Sequence, residues 1–447
     1  MFAEYTPTNS ETLVFIGAGA TATLGMPSSD NQTKIFRNLC DEEKSNEEIL
    51  SPYFSEPDLS KVIHFLNFLD NDNFFEVRDS DLQNAEMVYG KQDQKILQNR
   101  ILELRSEYDW NAAKKVLKIC PHNEENDNLI RDAYSIIDKK LLAHQSLKVR
   151  GCLNKSGNDI SCEEILSPSR LQGARNFLTL FINMLFAGAW YNISKGEKSD
   201  EFSKYKKFIK AFDRLMQKEG IHLSGQGKKF HDRDFYLFST SFVSFNFEMV
   251  FPWIFMNSHY ELNHQPPYIQ DHPLKLWLDY GVEHRGRKLD DKGNIIPTLE
   301  FTESVASREN EDDHIGTPIN RAGKFYFAHG SSAWRECPVC GRMTFFHGNN
   351  DWGDYKSKKI IPSFPIPLFE SENIDKNEFT KKENDWRKKL KYDSLQCMHC
   401  GSETKASDAP MIMQTMYKST PTSFLEEIQR NVKISLEKAI HIVLLGY

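Results

Sequence analysis

The chain has no apolar run long enough to span a bilayer, no excess of positive charge and no basic-then-apolar opening, and each absence closes a class of function. Its longest apolar stretch, Phe177-Leu-Thr-Leu-Phe-Ile-Asn-Met-Leu-Phe-Ala-Gly-Ala-Trp190, is interrupted by Asn183. It falls short of the ~20 residues a membrane helix needs, so it reads as a buried helix. Met1 to Ser10 is polar and lacks the secretory pattern, so export is not expected. Lys and Arg number 56 against 63 Asp and Glu, a net charge of −7. That balance offers no nucleic-acid surface over the chain as a whole. The short basic runs Lys356-Ser-Lys-Lys359 and Lys381-Lys382 are flanked by acids and read as solvated faces. Cysteine is sparse, eight in 447 residues. Cys40, Cys120, Cys152 and Cys162 are scattered, which fits a reducing cytoplasm better than a disulfide framework.

Phenylalanine is plentiful, 31 residues, and 27% of the chain is charged. That composition describes a folded soluble protein. At roughly 150 residues per domain, the length allows one large core or two ordinary ones.

The remaining four cysteines form two knuckles, Cys337-Pro-Val-Cys340 and Cys397-Met-His-Cys400, each followed by a glycine, Gly341 and Gly401. A two-residue spacer lets both sulfurs of a turn face one metal, and four thiolates close a tetrahedral zinc site. The glycine relieves crowding where the backbone bends around the sulfur. A pair of disulfides or redox motifs is the alternative reading of the same spacing.

Near the start, Thr12-Leu-Val-Phe-Ile16 is a compact apolar run ending at Gly17-Ala-Gly-Ala-Thr-Ala22. This predicts a strand feeding a glycine turn of G-x-G-x-x-A type, whose phosphates would sit on amides at a helix N-terminus. Alone the pattern is common. No acidic ribose-binding residue ends a second strand; Asp41 has the spacing but lies in a segment that does not read as strand.

From about Glu42 to Asp234 the texture is helical, with apolar residues recurring at three and four over Gln94 to Tyr108, Asn128 to Leu142, Ser169 to Ile193 and Ser203 to Lys218. Strand-like runs resume at Phe235 to Phe238 and Phe242 to Phe245. A long helical insertion in an α/β domain accounts for this, because the opening strand needs partners. Lys288 to His314 and Glu370 to Lys391 read as polar loops or extensions.

Ser244-Phe-Asn246-Phe-Glu248 closes one strand-like run, and Gly323-Lys-Phe-Tyr-Phe-Ala328 delivers His329-Gly330. Both would reach the carboxyl edge of a parallel sheet, where ligands gather, and a histidine there can act as a base near neutral pH. The final run, Ala439 to Tyr447, predicts a strand leading into a turn at Gly446.

Taken in order, glycine turn, S-x-N-x-E, H-G, paired C-x-x-C and a last apolar strand, the chain resembles the sirtuin superfamily. Gly25 and Pro27 complete that family's opening pattern. The resemblance implies a Rossmann-like parallel-sheet core of α/β class that binds NAD, with a large helical insertion and a small zinc-ribbon module. It divides the chain into core segments 1–41, 235–334 and 404–447, the insertion 42–234 and the zinc module 335–403. It also implies that Gly17, Ala18, Gly19 and Ala20 meet the pyrophosphate, with Thr21, Gly25, Pro27, Ser244, Glu248 and Gly446 completing the cofactor site. Asn246 would hold the nicotinamide ribose or a water, and His329 would act on the ribose hydroxyls or as base. Cys337, Cys340, Cys397 and Cys400 would bind structural zinc.

The departures are as informative. Ser28-Ser-Asp-Asn-Gln32 replaces the acidic-aromatic-basic run of deacetylases, Glu248 stands where they have aspartate, and Ala409-Pro-Met-Ile-Met-Gln-Thr-Met-Tyr-Lys418 replaces their peptide-docking loop. With the long insertion, these features look most like bacterial defence-associated sirtuin-like NADases. The implied activity is hydrolysis of NAD to nicotinamide and ADP-ribose in an antiphage, abortive-infection setting. Homo-oligomerisation and a ring-forming ATPase or other sensor protein are the implied partners. A lysine deacylase, an ADP-ribosyltransferase and a non-catalytic NAD or ADP-ribose sensor are the alternatives.

Overall fold

The computed structural model describes residues 12–41, 43–71, 73–121, 128–150, 163–195, 200–224, 240–255, 258, 287–289, 295–297, 325–341, 343–345, 366–367, 395–396, 402–412 and 423–446. Over these the protein is α/β: a parallel four-stranded sheet among many helices. Strand β1 (Thr12–Ile16) leads through a one-turn helix α1 (Gly19–Ala22) into α2 (Ser29–Asp41). Six helices follow: α3 (Asn46–Leu50), α4 (Glu56–Leu69), α5 (Asp79–Tyr89), α6 (Gln94–Glu107), α7 (Trp110–Ile119) and α8 (Leu129–Leu142). A hairpin of β2 (Leu147–Arg150) and β3 (Glu163–Leu166) precedes the long helices α9 (Pro168–Lys195) and α10 (Asp200–Ser224). Then come β4 (Thr240–Ser244), a hairpin of β5 (Arg287–Leu289) and β6 (Ile295–Pro297), and β7 (Phe325–Phe327). Small pairs β8 (Trp334–Glu336) with β9 (Met343–Phe345) and β10 (Leu395–Gln396) with β11 (Glu403–Thr404) lead to α11 (Ser423–Lys438) and β12 (His441–Leu445).

The sheet order is β12-β1-β4-β7. Thr12 lies opposite both Thr240 and His441, and Ile16 opposite Ser244 and Leu445, so three strands end level at their carboxyl ends. Ser244 in turn pairs with Phe327. All of β4 is buried, as expected of a parallel strand covered on both faces. Phe242 stacks on Phe325 with centroids 4.7 Å apart and meets Phe251 and Phe255 from the helical turn at 250–255. Each such ring contributes about 1.5–3 kcal/mol by burial, which accounts for the phenylalanine-rich composition.

The helical region shares this core. Phe177 and Phe181 of α9 are wholly buried and stacked, Trp110 of α7 stacks on Phe177 at 4.6 Å, and Phe36 of α2 meets Phe181 at 5.2 Å. Helix α9 therefore forms where the longest apolar run predicts a buried helix. Asn183, which interrupts that run, donates to the carbonyl oxygens of Thr179 and Ala406. An otherwise costly buried amide thus ties the helical region to the turn at Ala406–Asp408.

Two expectations change. The hairpin β2–β3 interrupts a stretch read as helical: Leu147 and Val149 are buried while Lys148 between them alternates outward, a pattern too short to register against the surrounding helical period. The hairpin β5–β6 begins at Arg287 and otherwise falls within Lys288 to His314, read as loops or extensions. The run at Phe235 to Phe238 lies outside the described residues, as does Glu370 to Lys391. None of the described helices is long and apolar enough to cross a membrane.

Candidate functional site

The level ends of β1, β4 and β7 bring the predicted motifs to one edge. The parallel ladders run one residue past the strands: the Phe245 amide donates to Ile16 O at 3.0 Å and the Ala328 amide to Ser244 O at 3.1 Å. Asn246 and His329 thereby leave the sheet side by side. The loops are tied together further on, where the Ser332 amide and the hydroxyls of Ser331 and Ser332 all donate to Phe247 O.

A cavity of about 360 Å³ opens here. The glycine turn lines it through Gly17, Ala18 and Thr21, the following segment through Met26, Pro27, Ser28 and Ser29, and the edge loops through Phe245, Asn246, Phe247, Glu248 and His329. Helices α8 and α9 supply Ile130, Arg131 and Phe186.

Asn246 is the most constrained group. Its backbone amide donates to Ser244 Oγ at 3.1 Å, which fixes the loop. Its Nδ2 shares two hydrogens among Gly17 O at 3.1 Å, Thr21 Oγ1 at 3.3 Å and Glu248 Oε1 at 2.9 Å. Each of these is an acceptor for it, so the amide has one orientation. The residue lines the cavity, and its Oδ1 takes no part in these bonds.

Glu248 holds that arrangement. Its carboxylate accepts from Thr21 Oγ1 at 2.7 Å, from Asn246 Nδ2, and from the Val250 amide at 2.7 Å. Burial pushes its pKa above the usual carboxylate range, and the three donors pull the other way without cancelling the shift. Tyr205 of α10 is pushed up as well, first by its own burial and then by the charge of Glu248.

His329 is set on a turn pinned from several directions. The Ile412 amide donates to His329 O at 2.8 Å, and Gln429 of α11 donates to Ala328 O at 2.9 Å. Gly330 adopts φ +83°, and a Cβ there would lie 1.5 Å from Pro410 O, so only glycine fits. The imidazole packs 5.0 Å from the Phe245 ring, which itself stacks on Phe15.

The glycine turn does something other than present a row of open amides. Gly17 N–H donates to Leu445 O, Gly19 N–H to Gly446 O, Ala20 N–H to Gly17 O and Thr21 N–H to Ala18 O. Gly19 and Gly446 lie against each other: a Cβ on Gly19 would come 2.8 Å from Gly446 O, and one on Gly446 only 1.9 Å from the Ala20 amide nitrogen. Gly19, Ala20 and Gly446 thus form the joint between β1 and β12. Gly25, at φ +103°, turns the chain toward Met26 and Pro27, whose carbonyl oxygen accepts from Gln32 Nε2.

Half of the paired knuckles is described. The Cys340 amide donates to Cys337 Sγ at 3.5 Å, the Gly341 amide to Cys337 O at 2.8 Å, and Gly341 turns at φ +65°. That bend wraps an amide onto sulfur, a fit for a thiolate metal ligand, and no disulfide joins the two cysteines. Cys397 and Cys400 lie outside the described residues, and no group of three or more metal-ligating side chains comes together among the described ones.

Sequence reasoning did not anticipate Phe186, Ile130 or Arg131 in the cavity wall. Phe245 and Phe247 flank Asn246 in the motif and were within reach of it. Comparison with protein-family models, curated proteins and solved structures finds no match for the chain.

Proposed function

We propose that the cavity binds NAD and hydrolyses its nicotinamide–ribose bond, in a Rossmann-like core of sirtuin type. The observation that carries this reading is the fixed amide of Asn246 beside His329 at the sheet edge, with its nitrogen occupied by Gly17, Thr21 and Glu248. An amide locked that way presents an acceptor, which orients a water or a ribose hydroxyl by taking its hydrogen. The volume falls at the lower end of the ~300–1,000 Å³ range of small-molecule sites.

The chemistry asks little covalent help of the protein. The nicotinamide leaves as a neutral base, taking the bonding electron pair and cancelling its ring charge. Water attacks C1′, its oxygen forming the new bond, and the released proton passes to His329 or to solvent. Holding that water and the developing charge in position is the enzyme's main contribution. Nicotinamide and ADP-ribose are the products. Zinc on Cys337, Cys340, Cys397 and Cys400 would have a structural role, closing a small module after the His329 turn.

Hydrolysis is favoured over deacylation by the segment that replaces the peptide-docking loop. Ala409, Pro410 and Met411 are buried and the Ile412 amide donates to His329 O, so this part of the segment is packed against the His329 turn rather than free to pair with a peptide. An antiphage role, oligomer formation and a sensor partner belong to the same reading. The test is NAD conversion by the purified chain with and without acetylated peptide, products resolved by mass. ADP-ribose formed without peptide supports hydrolysis; O-acetyl-ADP-ribose formed only with peptide makes the protein a deacylase; NAD binding without conversion makes it a sensor.

A further inference from the structure

Among the described residues the cavity wall holds one permanent cation, and it comes from the helical region. Arg131 of α8 lines the cavity, whereas the other ionisable side chains on the same wall, apart from His329, are the carboxyls of Asp30 and Glu248. Its Nε donates to the neighbouring Asp132 at 3.3 Å, its side chain is 42% exposed, and its terminal nitrogens have no hydrogen-bond partner among the described residues. The glycine turn, by contrast, has little left for an anion. The amides of Gly17, Gly19, Ala20 and Thr21 are bonded within the protein, and that of Ala18 is the one in the turn with no partner among the described hydrogen bonds.

A diphosphate laid against this turn would meet a single amide, and its two negative charges would need a cation nearby. The segment after Pro27 supplies none, reading Ser28-Ser-Asp-Asn-Gln32. We propose that Arg131 is the diphosphate-binding residue of the site, so that the helical region supplies the charge recognition that the sheet edge lacks. A guanidinium suits this role because its planar fork matches two phosphate oxygens at once. The inference rests on the NAD reading of the cavity and adds that binding requires α8 in place.

The experiment measures ADP-ribose affinity by calorimetry for the full chain and for Arg131→Ala and Arg131→Lys, with melting temperatures taken without ligand. Arg131→Ala is expected to weaken binding about 10- to 100-fold, the loss from one charge-assisted contact. Arg131→Lys keeps the charge but not the fork and should fall between. The gap between wild type and Arg131→Ala should shrink as salt rises, while the melting temperature stays unchanged. Equal affinity in wild type and Arg131→Ala overturns the inference and leaves the NAD reading standing. A lowered melting temperature with no salt dependence makes Arg131 a packing residue and also overturns it. Failure of the wild type to bind ADP-ribose removes the NAD reading and the inference together.

Discussion

Replacing Thr21 by valine keeps the side-chain shape and deletes one hydroxyl, at a position only 2% exposed. That hydroxyl donates to the buried Glu248 carboxylate at 2.7 Å and accepts from Asn246 Nδ2 at 3.3 Å. A hydrogen bond to a charged group is worth about 1.5–3 kcal/mol. Asn246 retains Gly17 O and Glu248 Oε1, so the second contact adds little, and the expected cost is about 2–3 kcal/mol where Glu248 is ionised. The pH dependence separates this from a packing defect. Glu248 has a folded pKa raised above its unfolded value, chiefly by burial. Its contribution to stability is therefore fully present below the unfolded value and is lost as pH rises through the folded one. Removing a donor to the ionised form lifts the folded value further, so the variant loses stability over a wider span of pH. Urea unfolding at about pH 5 and about pH 8 should show a larger gap at the higher pH. A cost below about 0.5 kcal/mol at both, or a larger cost at the lower pH, would refute the network.

Gly330→Ala places a Cβ against Pro410 O on a backbone at φ +83°, so the His329 turn must shift. NAD cleavage should fall at least about 100-fold, as a displacement of ~1 Å at a reacting centre can cause, read from initial rates. Arg105→Ala strips a partner from the buried Asp81, to which Arg105 is paired at 2.9 Å, and from the carbonyls of Phe68 and Glu76. The expected loss is about 3–5 kcal/mol by chemical unfolding. Elemental analysis should find about one zinc per chain, lost in Cys340→Ser; full metal content in that variant would remove the cysteine from the ligand set.

The elements legible in the sequence are those whose signal is local. β1 and β12 appear as short apolar runs before glycine, and α6, α8, α9 and α10 follow their period-3.6 patterns to within a few residues at most of their ends. β4 begins at Thr240 rather than Phe242, because Thr240 and Ser241 are buried by their neighbours in the sheet although their composition reads as turn. At the site, Asn246 and His329 were legible because each follows a strand and so had to reach the sheet edge. The orientation of Asn246 was not, since two of the three groups that fix it, Gly17 and Thr21, lie 229 and 225 residues away in sequence. Nor was the role of Gly19, which looks like a phosphate glycine and is required by the approach of Gly446. Arg131 carries no local signal at all, as a charged residue in the first turn of an amphipathic helix is ordinary until tertiary packing sets it against a cavity.

The most direct measurement of the central claim is the rate of NAD loss by the purified chain without peptide, alongside Asn246→Ala and His329→Ala. The wild type should release nicotinamide and ADP-ribose in equal amounts, and both variants should fall by at least about 100-fold while still folding cooperatively. Turnover surviving in both variants, or none in the wild type under conditions where ADP-ribose binds, would contradict it.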